Sequence, residues 1–259
     1  MGCLHVGHLS LVQSARNEND CVIVTIFVNP TQFGPEEDFQ AYPRDPARDL
    51  VLLEEANVDL VFTPSVSEVY PSGFQSAVDV QRLSQPLEGV TRPGHFRGVA
   101  TVVLKLFNII QPDRAYFGFK DYQQLLVVQQ MVRDLNVPVL VVPVDTVRDV
   151  DGLAISSRNV YLDPEQRRAA AVLNRGLSEA SQRFRGGERR AKALCQIVRQ
   201  RVAAEPIVNL DYVSLADPRL DLREIEEARE GSVLLVAAWV GKTRLIDNIT
   251  LEAHDPAAG

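Results

Sequence analysis

Residues 99–144, VATVVLKLFNIIQPDRAYFGFKDYQQLLVVQQMVRDLNVPVLVVPV, alternate twice between a helix pattern and a strand pattern. The spacing predicts an apolar helix over 99–110 and a short strand over 115–117. A second helix is predicted over 122–135, followed by a β-branched strand over 137–144. Strands that alternate with helices of about 10–15 residues are typical of a parallel sheet.

The residues before this stretch repeat the same alternation. The run CVIVTIFV at 21–28 predicts a strand that is buried on both faces. A second strand is predicted over 58–62. Between them, the helix pattern at 46–56 is expected to direct three side chains inward: Leu50, Leu53 and Ala56.

The pattern changes near Arg148, where we place a domain boundary. Asp163 followed by Pro164 predicts a helix start, with an N-cap and a proline at the first helical position. The elements then expected are helices over 164–184 and 190–203 and antiparallel strands over 210–215, 232–240 and 243–249. The sequence therefore predicts an α/β domain over 1–147 and a smaller α+β domain over 148–259.

Composition excludes several classes of protein. The 259 residues are 46% hydrophobic and 24% charged, and the net charge of −7 argues against a nucleic-acid partner. The three cysteines form no Cys-x-x-Cys pair, which favours a reducing compartment without a disulfide framework. No apolar run has the length of a membrane span, and no signal peptide is visible. We expect a cytoplasmic enzyme without a membrane partner.

The first candidate site is His5-Val6-Gly7-His8, followed by apolar residues that predict a helix start near Gly7. Both imidazoles would lie at the helix N-terminus, where backbone N–H groups and the helix dipole favour phosphate. A pair of ordinary surface histidines is the alternative.

The second candidate site is Gly118-Phe119-Lys120-Asp121, between a predicted strand and a predicted helix. Ligands of open parallel sheets bind beyond the carboxyl ends of strands, so Lys120 is placed to meet phosphates. Asp121 would cap the helix or accept hydrogen bonds from ribose. A plain helix cap beside a solvated lysine is the alternative.

Polar residues of three further segments are weaker candidates. Two serines and a guanidinium at 156–158, in a loop, suit a mobile clamp on a triphosphate, although an ordinary turn has the same composition. Gln32 and Gln124 carry amides that suit recognition of hydroxyl and carboxylate groups, although each is equally typical of a surface. The loop at 92–98 adds two arginines, but its spacing indicates no mechanism.

Other kinds of site are not indicated by the sequence. It contains no Gly-x-Gly-x-x-Gly, no Walker loop and no Gly-x-Ser-x-Gly elbow. It contains no His-Glu-x-x-His, so we expect no metal ion held by the protein itself.

Taken together, these segments resemble the pantothenate synthetase family, within the wider nucleotidyltransferases that share a His-x-Gly-His motif. The resemblance covers nearly the whole chain and is carried by seven stretches: MGCLHVGHLSLV, IFVNPTQF, YPRD, LEGVTRPGHFRGVATVVLKLFNIIQPD, YFGFKDYQQL, DGLAISSRNVYL and LLVAAWVGKTRLIDN.

The resemblance implies an ATP-dependent ligase with two steps. ATP and pantoate give pantoyl adenylate and pyrophosphate, with Mg²⁺ on the phosphates, and the amine of β-alanine then displaces AMP. It also implies a Rossmann-like domain that binds ATP and pantoate over 1–147, a C-terminal lid domain over 148–259, and a homodimer.

Site residues follow from the same resemblance. It implies catalytic roles for His8, as proton donor, and for His5, Lys120 and Arg158. Gln32 and Gln124 map onto pantoate-binding positions, and Gln32 also onto the β-alanine site. The implied ATP-binding residues are Met1, Gly2, Cys3, Leu4, His5, Val6, Gly7, His8, Gly118, Phe119, Lys120, Asp121, Val147, Ile155, Ser156, Ser157 and Arg158.

The sequence departs from the family pattern at three places. Val6 and Phe119 stand where the family often has acidic residues, and the loss of a carboxylate at 119 puts ATP affinity in doubt. The family has about two dozen residues before the first histidine, including the central strand of the sheet, so we expect the strand at 21–28 to lack a neighbour. Two alternatives to the ligase therefore stay open: a catalytically impaired nucleotide-binding relative, and a nucleotidyltransferase for another small acid.

Overall fold

The structure is a computed structural model that describes residues 2–35 and 37–253. The chain divides into two compact units, Met1–Val147 and Arg148–Gly259. Met1, one of the residues implied for ATP binding, lies outside the described residues. Within the described ranges, no helix combines the length and apolar character that a membrane span requires.

The first unit alternates helices with parallel strands, as the sequence predicts. Its elements in chain order are α1 (Val6–Glu18), β1 (Ile23–Thr25), α2 (Pro46–Glu55), β2 (Leu60–Phe62), α3 (Val66–Val69), α4 (Glu88–Thr91), α5 (His95–Ile110), β3 (Arg114–Gly118), α6 (Tyr122–Asp134) and β4 (Leu140–Val144). β1 pairs with β2 and β3 with β4, both parallel. Among the described strands, the two pairs form separate sheets.

The prediction that the strand at 21–28 is buried on both faces is wrong. β1 is only three residues long, and Ile23 is 36% exposed while Val24 is buried. Among the described strands, β1 pairs with β2 alone.

One face of α1 and one of α2 enclose the apolar core beside β1. The buried members of this core are Leu4, Val12, Ala15, Val22, Val24 and Leu53. Leu53 is 1% exposed, but the prediction that Leu50 points inward is wrong, since Leu50 is 48% exposed. The inward position one turn before Leu53 is taken by Asp49, which is 1% exposed.

The second unit packs helices against an antiparallel sheet. Its elements are α7 (Pro164–Ala170), α8 (Val172–Arg185), α9 (Ala191–Ala203), β5 (Val208–Asp217), β6 (Arg223–Glu224), β7 (Val233–Val240) and β8 (Thr243–Thr250). The strand order is β6-β5-β7-β8. Side chains of α8 and α9 share a buried core with one face of this sheet, including Leu177, Leu194 and Val236. The predicted α/β fold class, with a separate antiparallel sheet, is confirmed.

The single helix predicted over 164–184 is in fact two helices. Its start is as predicted, because Asp163 and Gln166 form a reciprocal capping box ahead of Pro164. The helix then breaks at Ala171, and α8 continues from Val172. No glycine or proline marks the break, so the sequence carries no local signal for it.

Candidate active site

The first turn of α1 brings together the two histidines of the predicted phosphate site. His5 is the N-cap, and its carbonyl oxygen accepts hydrogen bonds from the N–H groups of His8 (2.8 Å) and Leu9 (3.0 Å). The two imidazole rings stack with 4.0 Å between centroids. Val6, between them in sequence, is 54% exposed. The pair therefore lies at a helix N-terminus, where backbone N–H groups favour an anion.

The surroundings keep both imidazoles neutral near pH 7. Burial lowers the pKa of His5 from 6.5 to about 4, and the positive charge of Lys120 lowers it further. Burial lowers the pKa of His8 to about 3, with an additional contribution from His5. The Nδ1 atoms of both rings are buried and make no hydrogen bond within the described residues. Each ring therefore has one buried nitrogen whose hydrogen-bonding capacity is not used within the described residues.

Asp49 on α2 fixes the backbone that leads into the histidines. Its carboxylate oxygens accept hydrogen bonds from the N–H groups of Cys3 (2.8 Å) and Leu4 (2.6 Å). The neighbouring Arg48 donates to the carbonyl oxygen of Leu4 at 3.1 Å. Cys3 has a left-handed φ of 49°, which is unfavourable for a residue with a side chain. A buried carboxylate therefore holds a strained turn immediately before His5.

The segment 118–121 follows β3 directly, as the sequence predicts. Gly118 ends the strand, and Phe119–Asp121 form a 3-10 turn that leads into α6. Lys120 Nζ lies 3.6 Å from an oxygen of Asp121. The charges of both residues act on the pKa values of the two histidines, so this segment lies beside the start of α1.

Two details of this segment differ from a plain helix start. Asp121 occupies the N-cap position of α6, but its side chain makes no capping hydrogen bond, so the first of its two alternative roles, capping, is wrong, and ribose recognition stays a prediction. The ring of Phe119 stacks on that of Tyr122 at 5.9 Å and 15°. The aromatic residue at 119 is therefore packed along α6, whereas a carboxylate there would have to be solvated or paired.

The amide of Gln32 is held in place by its neighbours. Gln32 lies in a 3-10 turn, Pro30–Gln32, that follows the carboxyl end of β1. Its side-chain oxygen accepts a hydrogen bond from Asn29 Nδ2 at 3.2 Å. Asn29 is 2% exposed and also accepts a hydrogen bond from the hydroxyl of Tyr70 at 2.8 Å.

Gln124 and Val147 lie near the ends of the other strand pair. Gln124 is the third residue of α6, which begins beyond the carboxyl end of β3, and it is half-buried. Val147 follows the end of β4 and is the last residue of the first unit. Both residues therefore come after the carboxyl end of a parallel strand, where ligands of such sheets bind.

The second unit contains the remaining predicted residues, Ile155, Ser156, Ser157 and Arg158, here called the clamp segment. Ser156 caps a 3-10 turn, Ser157–Tyr161, and its hydroxyl accepts a hydrogen bond from the N–H of Arg158 at 3.3 Å. Ser157 is buried and Ile155 is half-buried. The segment is therefore an ordered turn within its own unit.

Two arginines attach the loop that precedes the clamp segment. Arg148 donates to both oxygens of the buried Asp247, at 2.7 and 2.9 Å. Arg167 on α7 donates to Asp149 at 2.6 Å and to Asp151 at 2.7 Å. A bidentate guanidinium–carboxylate pair constrains direction as well as distance. Both ends of the loop are thus fixed to the body of the second unit.

Sequence reasoning missed the residues that position the site. Asp49 is the clearest case, and Asn29 and Arg48 belong to the same class. Within the described ranges, no three His, Cys, Asp or Glu side chains are grouped as ligands for a metal ion. The signal that could have identified Asp49 is its position one helical turn before Leu53, on the inward face of a predicted helix.

Comparison of the chain with known protein families identifies the family to which it belongs. A family model described as "Pantoate-beta-alanine ligase" matches residues 1–250. The chain belongs to the pantoate–β-alanine ligase family. The predicted resemblance is thereby confirmed.

Individual members of this family are similar over nearly their whole length. The pantothenate synthetase of Roseiflexus castenholzii is 58% identical over 253 residues, covering 98% of this chain and 91% of the relative. That of Moorella thermoacetica is 54% identical over 255 residues, covering 98% and 90%. The two alternatives to the ligase gain no support from these relatives.

Solved structures of the family match the fold. The pantothenate synthetase of Thermus thermophilus has a TM-score of 0.94 and 50% identity, covering 97% of this chain and 91% of that chain. The pantoate–β-alanine ligase of Francisella tularensis, solved in complex with β,γ-ATP and β-alanine, has a TM-score of 0.79 and 34% identity, covering 96% and 87%.

Proposed function

We propose that this chain, a pantoate–β-alanine ligase, joins its substrates through a pantoyl adenylate formed at the start of α1. The carboxylate of pantoate attacks the α-phosphorus of ATP and pyrophosphate leaves. The amine of β-alanine then attacks the acyl carbon, AMP leaves and pantothenate is released. The observation that carries the proposal is the stacked, neutral pair of His5 and His8 at a helix N-terminus, beside Lys120.

The histidines act on the phosphates. A neutral imidazole donates one hydrogen bond, and a helix N-terminus adds backbone N–H donors, so both stabilise charge that builds on the phosphate oxygens. Nearby negative charge raises the pKa of a histidine. Binding of a triphosphate therefore moves His8 back toward its ordinary pKa, which makes it able to donate a proton to the leaving group.

Lys120 and Arg158 offset the repulsion between the pantoate carboxylate and the triphosphate. Lys120 contributes a compact positive charge beside the histidines, and Arg158 a planar fork suited to phosphate oxygens. The Francisella tularensis relative, whose structure is described as complexed with β,γ-ATP and β-alanine, supports ATP as a substrate. The ATP contacts proposed for this chain are Met1, Gly2, Cys3, Leu4, His5, Val6, Gly7, His8, Gly118, Phe119, Lys120, Asp121, Val147, Ile155, Ser156, Ser157 and Arg158.

Gln32 and Gln124 recognise pantoate, and Gln32 also contacts β-alanine. An amide both donates and accepts, so it can bind a hydroxyl group and a carboxylate at once. Mg²⁺ enters with ATP as part of the substrate, because phosphate oxygens are the hard ligands that it prefers.

The two units divide the work. Residues 1–147 bind ATP and pantoate, and residues 148–259 act as a lid that brings the clamp segment to the phosphates. Lid closure excludes water, which protects the adenylate from hydrolysis. We also propose that the enzyme is a cytoplasmic homodimer that acts on small molecules alone, with neither nucleic acid nor membrane as a partner.

AMP release from ATP by the purified protein tests the proposal. Release is expected only when pantoate and β-alanine are both present. Replacing one donor, in His8→Asn or Lys120→Met, is expected to lower kcat by about 10²–10³-fold. Lys192→Met is the control, because Lys192 is exposed on α9. AMP release that does not require pantoate would contradict the assignment of pantoate as a substrate. Full activity of both variants would contradict the assignment of His8 and Lys120 to the active site.

A further inference from the structure

The segment 92–98, which the proposed mechanism does not use, was predicted as a loop but is helical from His95 onward, and it is bonded to the backbone of Gln32. The Nδ1 atom of His95 lies 2.8 Å from the carbonyl oxygen of Gln32. Arg92 Nη2 donates to the same oxygen at 3.4 Å. His95 is the first residue of α5 and is 8% exposed. Arg92, from the turn before α5, and His95, from the first position of α5, thus converge on one carbonyl group.

The neighbours of His95 define its tautomer. Its Nε2 atom lies 3.2 Å from Arg92 Nη1, which can only donate, so Nε2 accepts and the proton lies on Nδ1. Burial, and then the charge of Arg92, lower the pKa of His95 to about 4. The ring is therefore neutral near pH 7 and donates from Nδ1 to the carbonyl oxygen of Gln32.

Glu37 fixes the guanidinium of Arg92. Arg92 donates to the two oxygens of Glu37, from Nε at 3.0 Å and from Nη2 at 2.6 Å. Both side chains are largely screened from solvent, with 16% and 24% of their surfaces exposed. Arg92 thus has a defined orientation while it contacts both Gln32 and His95.

The start of α5 is pressed against the preceding peptide group, which joins Thr31 to Gln32. A Cβ atom at Gly98 would lie 2.3 Å from the carbonyl oxygen of Thr31 and 2.8 Å from the backbone nitrogen of Gln32. Only glycine allows this approach. Asn29 Nδ2 donates to the carbonyl oxygen of Gly98 at 3.1 Å, as well as to the side chain of Gln32. The backbone and the amide of Gln32 are therefore fixed together.

We infer that Arg92 and His95 are positioning residues that orient Gln32 for pantoate before the substrate binds. This inference rests on the proposed role of Gln32 as a pantoate ligand. An amide recognises its ligand by the direction of one donor and one acceptor, so rotation of its peptide would misdirect both. A displacement of about 1 Å at a substrate-positioning residue costs on the order of 10²-fold in rate.

The test compares His95→Ala with His95→Asn. The Nδ2 atom of asparagine can occupy the place of Nδ1 and keep the bond to Gln32. His95→Ala is expected to raise KM for pantoate by roughly 10–100-fold and to leave KM for ATP nearly unchanged. His95→Asn is expected to recover most of the loss. An equal rise in both KM values, or no recovery by asparagine, would overturn the inference.

Thr101→Ala is the matched control for lost stability. Thr101 lies on the same helix, is 7% exposed, donates to the carbonyl oxygen of Arg97 (2.7 Å) and accepts from the N–H of Val78 (2.9 Å). It makes no hydrogen bond to Gln32 within the described residues. If Thr101→Ala raised KM for pantoate as much as His95→Ala does, the effect would be general loosening and the inference would fail.

A double-mutant cycle with Gln32→Ala separates this inference from the proposed function. If His95 acts through Gln32, His95→Ala adds little to KM for pantoate in a Gln32→Ala background. Additive effects would overturn the positioning role. If Gln32→Ala itself left KM for pantoate unchanged, the proposed pantoate site would be wrong. Should His95→Ala fail to fold, Arg92→Lys replaces it, since lysine lacks the fork that spans Glu37 and Gln32.

Discussion

Replacing Asp49 with alanine tests whether its hydrogen bonds to the turn before His5 fix the positions of the two histidines. The carboxylate accepts from the N–H groups of Cys3 at 2.8 Å and Leu4 at 2.6 Å, and it is 1% exposed. The substitution removes both of these bonds from a strained turn, while the bond from Arg48 to the carbonyl oxygen of Leu4 stays. Either the turn keeps its shape with two unsatisfied donors, or it relaxes and His5 moves.

The expected losses of stability and of adenylation rate can be estimated from the two bonds of Asp49. A hydrogen bond to a charged group contributes about 1.5–3 kcal/mol, so the two bonds of Asp49 contribute about 3–6 kcal/mol. Cys3 is only part-buried, so relaxation toward water recovers some of this free energy, and we expect a loss of about 3 kcal/mol in the free energy of unfolding. The accompanying shift of the histidines is expected to lower the rate of adenylation by roughly 10²-fold.

The assay is pantoate-dependent exchange of pyrophosphate into ATP, which reports the first step alone, together with urea unfolding. Asp45→Ala is the control because Asp45 caps the same helix, accepting from the N–H of Arg48 at 3.1 Å, and within the described part of the chain it makes no bond to the segment before His5. The lost cap costs about 1 kcal/mol and should leave exchange nearly intact. The reasoning is refuted if Asp49→Ala loses stability but exchanges pyrophosphate as fast as Asp45→Ala.

Two further predictions concern protonation and the clamp segment. The pKa values of His5 and His8 are about 4 and 3 in the free protein, and the negative charge of ATP raises them, so ATP binding should take up protons near pH 6 and none near pH 8. Calorimetry in buffers of different ionisation enthalpy measures the number of protons taken up. Proton uptake that is unchanged in His8→Asn would contradict the prediction. Arg167→Ala removes one of the two arginine anchors of the loop and leaves the one at Arg148, and ordering the loosened part should cost about 1 kcal/mol, a rise of about fivefold in KM for ATP. Its control is the adjacent, exposed Arg168→Ala, and equal KM values for the two variants would rule out the anchoring role.

The sequence predicted most of the fold because hydrophobic periodicity reports burial directly. The apolar helix expected over 99–110 is present and extends back to His95, and the strand and helix that follow begin within a residue of the predicted positions. Hydrophobic periodicity gave a wrong prediction where a buried position carries a charged residue. The helix at 46–56 was oriented by its leucines, but the inward position belongs to Asp49, because two backbone N–H groups compensate the burial of its charge.

In the candidate site too, the sequence predicts some residues and misses others. His5 and His8 could be assigned to a helix start from the sequence, and Lys120 to the end of a strand, because both depend on local signals. No local signal connects His95 with Gln32, which are 63 positions apart, or Asp49 with Leu4, which are 45 apart. Such pairs depend on how elements pack, so only the structure reveals them.

Asp49 and His95 act on backbone groups, and this has a consequence for how the site tolerates substitution. A bond to a peptide N–H or C=O does not depend on which side chain that peptide carries. Asp49 would accept the same hydrogen bonds with any residue other than proline at position 3 or 4. His95 would likewise donate to the carbonyl oxygen of any residue at position 32. The direction in which a ligand-binding side chain leaves the backbone is therefore set independently of the side chain itself. Substitutions at Gln32 should change which acid is bound without disturbing the hydrogen bonds that hold the backbone of residue 32. Substitutions at His95 should weaken the binding of any acid that residue 32 contacts.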